Sequence, residues 1–304
     1  MEPQREILPP QTEPPTEYPR GPFTAPGPRQ QDGAASIESA ADPSRIWLPE
    51  LVQRYARSLS CNKVACALRL VNKATAAQFR GPQDRTVRLS QPVPHHAFVQ
   101  RWGGVGALRS LTLFQRRQLS CLTARSGSIA NLEVLRVRDD AACESDDEVL
   151  LAAARAGQLE VCRWLRQKGC PWDCWALDAA AEGGQHRQQA VCEWLLASGC
   201  PWSEEAAGEA AKAGHVGLMD WLLGTGHDHG VYTLASGVAE GCGLPTLRRL
   251  HSTHFTQQLD DFRGTVLAYA PGSATADWRA KVEWLEGQGY PRTAEGFRVP
   301  PRLY

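Results

Sequence analysis

The sequence predicts an all-α protein in which pairs of helices repeat and stack into a solenoid. Three segments of similar sequence begin at Leu150, Leu177 and Ala207. Apolar residues within each segment follow helical spacing, and glycines recur where helices would end. One such helix pair cannot bury its apolar stripe alone, so we expect successive pairs to pack on one another.

Composition and charge limit the class of protein. The chain has 304 residues, of which 42% are apolar and 22% charged, an ordinary globular balance. Its formal net charge is zero, so global charge favours no class of partner. The N-terminus has no basic start followed by an apolar stretch, and no apolar run of membrane-spanning length follows. We expect a monomeric cytoplasmic or nuclear protein with free thiols.

The first predicted segment, residues 1–44, is a disordered tail. Ten of the 21 prolines lie between Pro3 and Pro43, among Gln, Glu, Thr and Gly. A segment of this composition buries too little apolar surface to offset the entropy that folding would remove.

The second predicted segment, residues 45–80, consists of short amphipathic helices. Apolar residues keep helical spacing from Leu48 to Leu59 and again from Val64 to Ala74. Pro49 suits the first turn of a helix, and Asn62 is predicted to cap the second helix.

A connecting segment follows at 81–112, and its sequence predicts a short extended piece and then a helix. Basic residues dominate this part of the chain. Arg54 to Arg138 contains fifteen Lys or Arg and two acids, and six acids follow in Asp139–Glu148. The basic stretch could bind nucleic acid or anionic lipid. Because no nucleic-acid-binding motif with interleaved aromatic residues accompanies it, we favour a solvated basic face.

Each repeat, within residues 113–295, predicts two helices. The first is rich in alanine, whose small side chain lets helices approach closely, and the second carries a Trp-Leu pair. The glycines expected to end these helices in the left-handed conformation are Gly157, Gly169, Gly184, Gly199, Gly214, Gly226 and Gly289. The residues predicted for the repeat core are Trp164, Leu165, Trp194, Leu195, Trp221, Leu222, Trp284 and Leu285.

The number of repeats is predicted at about five to six, because the landmarks fade towards the C-terminus. An earlier unit aligns Leu132 with Leu159, which lies 27 residues further on. Later and fainter units contain Leu247 and Trp284. A C-terminal tail at 296–304 completes the predicted organisation.

The pattern AA..G......WL...GCPWD is strongest between Leu150 and Gly230. It resembles ankyrin-type repeats, in the version with a Gly-Cys-Pro-Trp turn that is common in green-algal ankyrin proteins. The TPLH sequence of the family's commonest form is absent. The resemblance implies an array that binds proteins through a concave surface and the tips of its turns.

The segment at 46–79 resembles an F-box, on its Leu-Pro opening, Glu-Leu-Val, and Leu-Arg-Leu-Val-Asn-Lys. The aromatic residue that the family has next is replaced by Ala74 and Thr75. The resemblance implies docking to a Skp-type adaptor of a cullin ubiquitin ligase. The residues that would carry it are Leu48, Pro49, Leu51, Val52, Leu68 and Val71. An equal alternative is that they only cap the solenoid.

Catalytic chemistry has weak signals in this sequence. The cysteines of GCPWD recur in register at Cys170 and Cys200, which favours buried structural residues over reactive ones. GHDHG, at 226–230, could hold a metal ion, and a metal-dependent hydrolase such as a phosphodiesterase is the alternative. Phosphate-binding and nucleophile motifs are absent. We expect no catalytic residue, no metal and no cofactor.

The predicted function is therefore a protein-protein interaction module, with ubiquitin-ligase coupling if the F-box resemblance holds. Its partner would contact exposed side chains at the turns between repeats, where tryptophan is a frequent interface anchor. These candidate residues are Trp172, Asp173, Trp175, Trp202, Ser203, Glu204, Asp228 and His229.

Overall fold

The computed structural model describes residues 47–137, 146–184, 188–255 and 263–291. The predicted tails at 1–44 and 296–304 lie outside these ranges. Within them all regular structure is helical, in seventeen α-helices without a strand, which confirms the all-α prediction. None of these helices combines the length and the apolar character needed to cross a bilayer.

The helices are short, from 4 to 13 residues. They are α1 (Pro49–Ser58), α2 (Cys61–Cys66), α3 (Lys73–Gln78), α4 (Pro82–Arg85), α5 (His95–Trp102), α6 (Leu113–Arg125), α7 (Ile129–Arg136), α8 (Asp146–Arg155), α9 (Leu159–Gln167), α10 (Trp175–Gly183), α11 (Gln188–Ala197), α12 (Ala206–Lys212), α13 (Val216–Leu223), α14 (Val231–Gly241), α15 (Leu244–His254), α16 (Arg263–Tyr269) and α17 (Trp278–Gly287). Two 3-10 turns lie at Leu68–Leu70 and Ala270–Gly272.

The N-terminal helices form a small core of their own. Helix α1 begins at Pro49, in the first-turn position predicted from the sequence. Val52, Val64 and Leu68 are buried together between α1, α2 and the first 3-10 turn. The aliphatic positions of the F-box-like segment therefore supply its internal packing.

The cap predicted at Asn62 is wrong, because Asn62 lies inside α2 and Ser60 caps that helix. The fully buried Asn62 amide instead donates to the carbonyls of Arg88, Gln91 and Pro92, at 2.8, 3.1 and 3.2 Å. Its oxygen accepts the backbone N–H of Arg88 at 2.8 Å. The two amide N–H groups thus share three carbonyls, and together with the bond to the oxygen these contacts outweigh the single bond of a local cap and attach the connecting segment to α2.

The connecting segment contains the predicted helix as α5, and also the short helix α4 before it. Phe98 of α5 packs in a second buried cluster with Leu108, Leu119 and Leu135. This cluster joins the connecting segment to the first repeat-like pair, α6 and α7.

From α6 onwards the described residues contain six consecutive helix pairs, from α6/α7 to α16/α17. The first helices of the pairs pack in series, each against the first helix of the next pair. One buried cluster runs through all six pairs, from Ala124 to Tyr290. The pairs therefore share one continuous core.

Glycines end the helices as the sequence predicts. All seven predicted positions have positive φ angles, between 52° and 85°, and Gly127 of the first pair has one as well. A different need for glycine occurs where α12 meets α14. A Cβ atom on Gly237 would lie 2.3 Å from the carbonyl oxygen of Gly208, so only glycine permits this approach.

The Trp-Leu pairs divide between the core and its margin. Leu165, Leu195, Leu222 and Leu285 are fully buried, as predicted. Their preceding tryptophans, at 164, 194, 221 and 284, are half-buried and pack against the outside of the core. The second helices lie at the margin of the stack, where an indole ring can cover aliphatic side chains while one edge stays in water.

Candidate functional site

The turn 169–173 is a packed joint between helix pairs. Cys170 is buried, and the ring of Trp172 meets that of Trp194 edge to face, with centroids 5.5 Å apart. The guanidinium of Arg166 lies 4.3 Å from the centre of the Trp172 ring. Trp172 is thus held between a cation and a second indole, which indicates a structural role.

The second copy of the joint rests on the first. The thiol of Cys200 donates to the carbonyl of Asp173 at 3.3 Å. The Asp173 carboxylate accepts the N–H of Trp175 at 3.0 Å, and the Ser203 hydroxyl accepts the N–H of Glu205 at 3.2 Å. Each bond closes a short turn just before a first helix, and neither side chain caps its helix, since the N-cap residues are Cys174 and Glu205.

The GHDHG turn packs against the second joint. The His227 ring stacks on Trp202 with centroids 4.4 Å apart, and the Trp202 indole N–H donates to the Asp228 carbonyl at 2.8 Å. Burial lowers the pKa of His229. Within the described ranges, the His, Cys, Asp and Glu side chains form no group that could hold a metal ion. The hydrolase alternative stays a prediction.

A cavity of about 360 Å³ opens where α10, α12 and α14 begin. We call it the tip groove. It is defined by Cys174, Trp175, Asp178, Trp202, Ser203, Glu204, Glu205, Gly230, Tyr232 and Thr233. Consecutive helix pairs present their turns side by side, so side chains far apart in the sequence share one wall.

The electrostatics of the tip groove are centred on Asp178. Burial raises its pKa to about 6, hydrogen bonding to Ser203 opposes the rise, and Glu205, Glu209 and Asp173 add to it. Its Oδ1 atom is buried and has no hydrogen-bond partner among the described residues. The groove thus concentrates negative charge around a carboxylate that is poorly stabilised in its ionised form.

The structure brings together four of the eight predicted tip residues in the groove: Trp175, Trp202, Ser203 and Glu204. Ser203 needs a correction, since it is buried rather than exposed and its hydroxyl serves the next helix. The other four, Trp172, Asp173, Asp228 and His229, lie outside the groove lining. Trp172, Asp173 and Asp228 hold the joints as described above, and the His229 ring meets that of Trp202 edge to face, with centroids 5.9 Å apart.

Six residues of the groove were not predicted from the sequence: Cys174, Asp178, Glu205, Gly230, Tyr232 and Thr233. Asp178 could have been identified from the sequence. It is a charged residue in the alanine-rich helix that begins at 175, and the equivalent position of the next pair, thirty residues on, is Gly208. A single carboxylate on a helix face that otherwise packs small residues indicates a candidate for a binding site. Tyr232 carried no comparable signal, since its repeat is degenerate.

The predicted adaptor-docking residues fall into two groups. Val52 and Leu68 are buried in the core of α1 and α2, and Leu51 is half-buried. The prediction that Val52 and Leu68 dock an adaptor is therefore corrected, because their side chains are not exposed to a partner. Leu48, Pro49 and Val71 are exposed. Further apolar side chains exposed in the same region are Trp47, Tyr55 and Leu70.

The basic stretch that begins at Arg54 is distributed over the helices from α1 to α7. Two of its members lie over tryptophan rings: Arg101 is 4.2 Å from the centre of Trp102, and Arg136 is 5.8 Å from that of Trp164. Binding of nucleic acid or anionic lipid by this stretch stays a prediction. The acidic residues 139–145 lie outside the described ranges.

Comparison with protein-family models finds no match for this chain. A search of curated proteins finds no match, and neither does a search of solved structures. The resemblances to ankyrin-type repeats and to an F-box therefore rest on the sequence motifs, and they stay predictions.

Proposed function

We propose that this protein is an ankyrin-type helical array that binds a protein partner through the tip groove. The observation that carries the proposal is the convergence of Trp175, Trp202 and Glu204, from two successive joints, on one open cavity. Trp175 is 63% exposed, an unusual state for a residue that most often serves as a buried core or interface anchor.

Rigid support makes this groove suited to binding. Trp202 is fixed by the His227 ring and by its hydrogen bond to Asp228, and the Gly230 N–H donates to the Glu204 carbonyl at 2.9 Å. A partner that docks here would find the backbone already ordered. Binding then costs little conformational entropy on the side of the groove.

Site-specific photo-crosslinking tests the proposal. A photoreactive amino acid replaces Trp175 in the full chain, and a matched chain carries it at the exposed Gln167 on α9. Protein adducts that form at 175, are missing at 167 and are lost on Glu204→Lys support the groove as the binding surface. Adducts that are equal at both positions, or missing at both, would reject it.

A second proposal is that the F-box-like segment couples this array to a Skp-type adaptor. It is favoured by the apolar residues that α1 and the first 3-10 turn leave exposed, led by Leu48 at 49% and Leu70 at 71%. Their burial against a partner would be favourable by about 25 cal/mol per Å² of apolar surface.

Co-purification with a Skp-type adaptor tests this coupling. We expect Leu48→Ala with Pro49→Ala to abolish it, while Val105→Ala leaves it unchanged, because Val105 is exposed elsewhere. Circular dichroism of each variant controls for folding. Failure of the parent chain to bind, or binding that the double variant retains, would leave these helices as a structural cap.

A further inference from the structure

We propose that the tip groove receives an arginine side chain of the protein partner. This inference rests on the proposed function and names the chemistry that the groove recognises. The guanidinium would lie against the exposed indole of Trp175 and pair with the carboxylates of Asp178 and Glu205.

Charge complementarity is the first reason. Three carboxylates line the groove, those of Asp178, Glu204 and Glu205, and none of the described residues in the lining is basic. The charges that act on Asp178 come from Asp173, Glu205 and Glu209, and all three have the same sign as its own. A cation placed among these groups would relieve their mutual repulsion.

The arrangement of the carboxylates favours an extended cation over a metal ion. Within the described residues they do not converge closely enough to hold a metal. A guanidinium spreads its charge over a plane and offers five N–H donors in fixed directions, so it can serve separated acceptors at once. An ammonium group would act as a single point charge.

The open indole is the second reason. Trp175 presents a ring at the groove, and arginine is the cation that most often stacks on tryptophan. The molecule already uses this pairing three residues before Trp175, where Arg166 lies 4.3 Å from the centre of the Trp172 ring.

Titration of the full chain, labelled with ¹⁵N-tryptophan, with Nα-acetyl-arginine N-methylamide tests the inference. We expect a saturable shift of the Trp175 indole signal, assigned with Trp175→Phe, at roughly millimolar dissociation constant for so small a probe. The citrulline analogue has nearly the same shape without the charge, and we expect it to bind at least about tenfold more weakly. The lysine analogue should also bind more weakly.

Variants locate the binding. Asp178→Asn and Glu205→Gln should each weaken the arginine probe about fivefold or more, whereas Glu193→Gln, an exposed carboxylate on α11, should not. The signals of the remaining tryptophans report whether each variant keeps its fold. A missing or unsaturable shift, equal binding of citrulline, or equal binding of lysine would overturn the arginine assignment.

The two proposals on this groove can fail separately. Crosslinks at position 175 without arginine binding would keep the protein-binding function and reject the arginine. Arginine binding without crosslinks would reject the protein-binding function, and with it the inference that a protein supplies the arginine.

Discussion

The ammonium nitrogen of Lys281 lies 2.7 Å from the carbonyl oxygen of Ala239, in a side chain with no solvent exposure. It also donates to the Cys242 carbonyl at 2.8 Å and to the Ser273 hydroxyl at 2.7 Å. A lysine of α17 thereby satisfies carbonyls at the C-terminal end of α14, where a helix leaves acceptors without intrahelical partners. This contact connects the last two helix pairs.

Lys281→Met should destabilise the protein by about 2 kcal/mol, because Met keeps the volume and leaves three buried acceptors without this donor. Urea unfolding of the variant measures the effect. Lys212→Met is the matched control, since Lys212 is exposed, and we expect a change within about 0.5 kcal/mol. An unchanged or increased stability in the first variant would mean that desolvation of the ammonium outweighs its hydrogen bonds.

Gly237→Ala and Gly217→Ala should change stability in opposite directions. At Gly237 the new methyl would meet the Gly208 carbonyl at 2.3 Å, so α12 and α14 must separate, at a cost of about 1–3 kcal/mol. At Gly217, within α13, nothing lies within 4 Å of the methyl, and better helix propensity should add about 0.5 kcal/mol. Thermal unfolding of the two variants measures both changes in stability. Equal changes in the two variants would contradict the close packing of α12 on α14.

Asp178→Asn should stabilise the protein at neutral pH and not in acid. The pKa of Asp178 in the folded protein, about 6, lies above its ordinary value. The protonated carboxyl therefore contributes fully to folding stability below about pH 4, and this contribution is lost as pH rises through 6. The gain, discounted for partial exposure, should be about 1–2 kcal/mol at pH 7.5.

Urea unfolding at pH 4 and pH 7.5 measures this dependence, with the exposed Asp228→Asn as the control. The groups that surround Asp178 are Asp173 on its own turn and Glu205 and Glu209 from the next pair. Arg155 of α8 is engaged with Glu182. A gain that is the same at both pH values would show that ionisation of Asp178 is not the cause.

Asn62→Ala should destabilise the N-terminal helices by about 2 kcal/mol, since it removes the side-chain hydrogen bonds that join α2 to residues 88–92. Amide hydrogen exchange in that segment should accelerate. Gln53→Ala, on the exposed face of α1, is the control and should change neither quantity. Protection that persists at residues 88–92 would rule out this anchoring role.

Much of the helix-pair pattern could be predicted because it depends on local features of the sequence, such as glycine positions and the spacing of apolar residues. The glycines at 169 and 199 end helices with positive φ, which is a local requirement visible in the sequence. Leu165 and Leu195 are buried because helical spacing places them on the packed face. The tryptophans beside them were harder to place, since spacing alone does not distinguish the core from its margin.

The candidate site could be predicted only in part, because it depends on which turns become neighbours. Trp175 and Tyr232 are 57 residues apart and share a groove only through the stacking of three helix pairs. Asn62 shows the same limit, since its three partner residues lie 26 to 30 residues away. Neighbouring residues favoured a helix cap at Asn62, whereas its side chain in the structure makes tertiary hydrogen bonds to residues 88–92.

The buried cysteines of the stack have a practical consequence. Cys162, Cys192 and Cys242 belong to different helix pairs, and burial raises the pKa of the first two to about 12 and of the third to about 11. Such thiols cannot react with an alkylating reagent until their own pair opens, since the thiolate is the nucleophile. Each of these helix pairs thus carries an intrinsic chemical reporter, from which labelling rates would give the opening free energy along the chain.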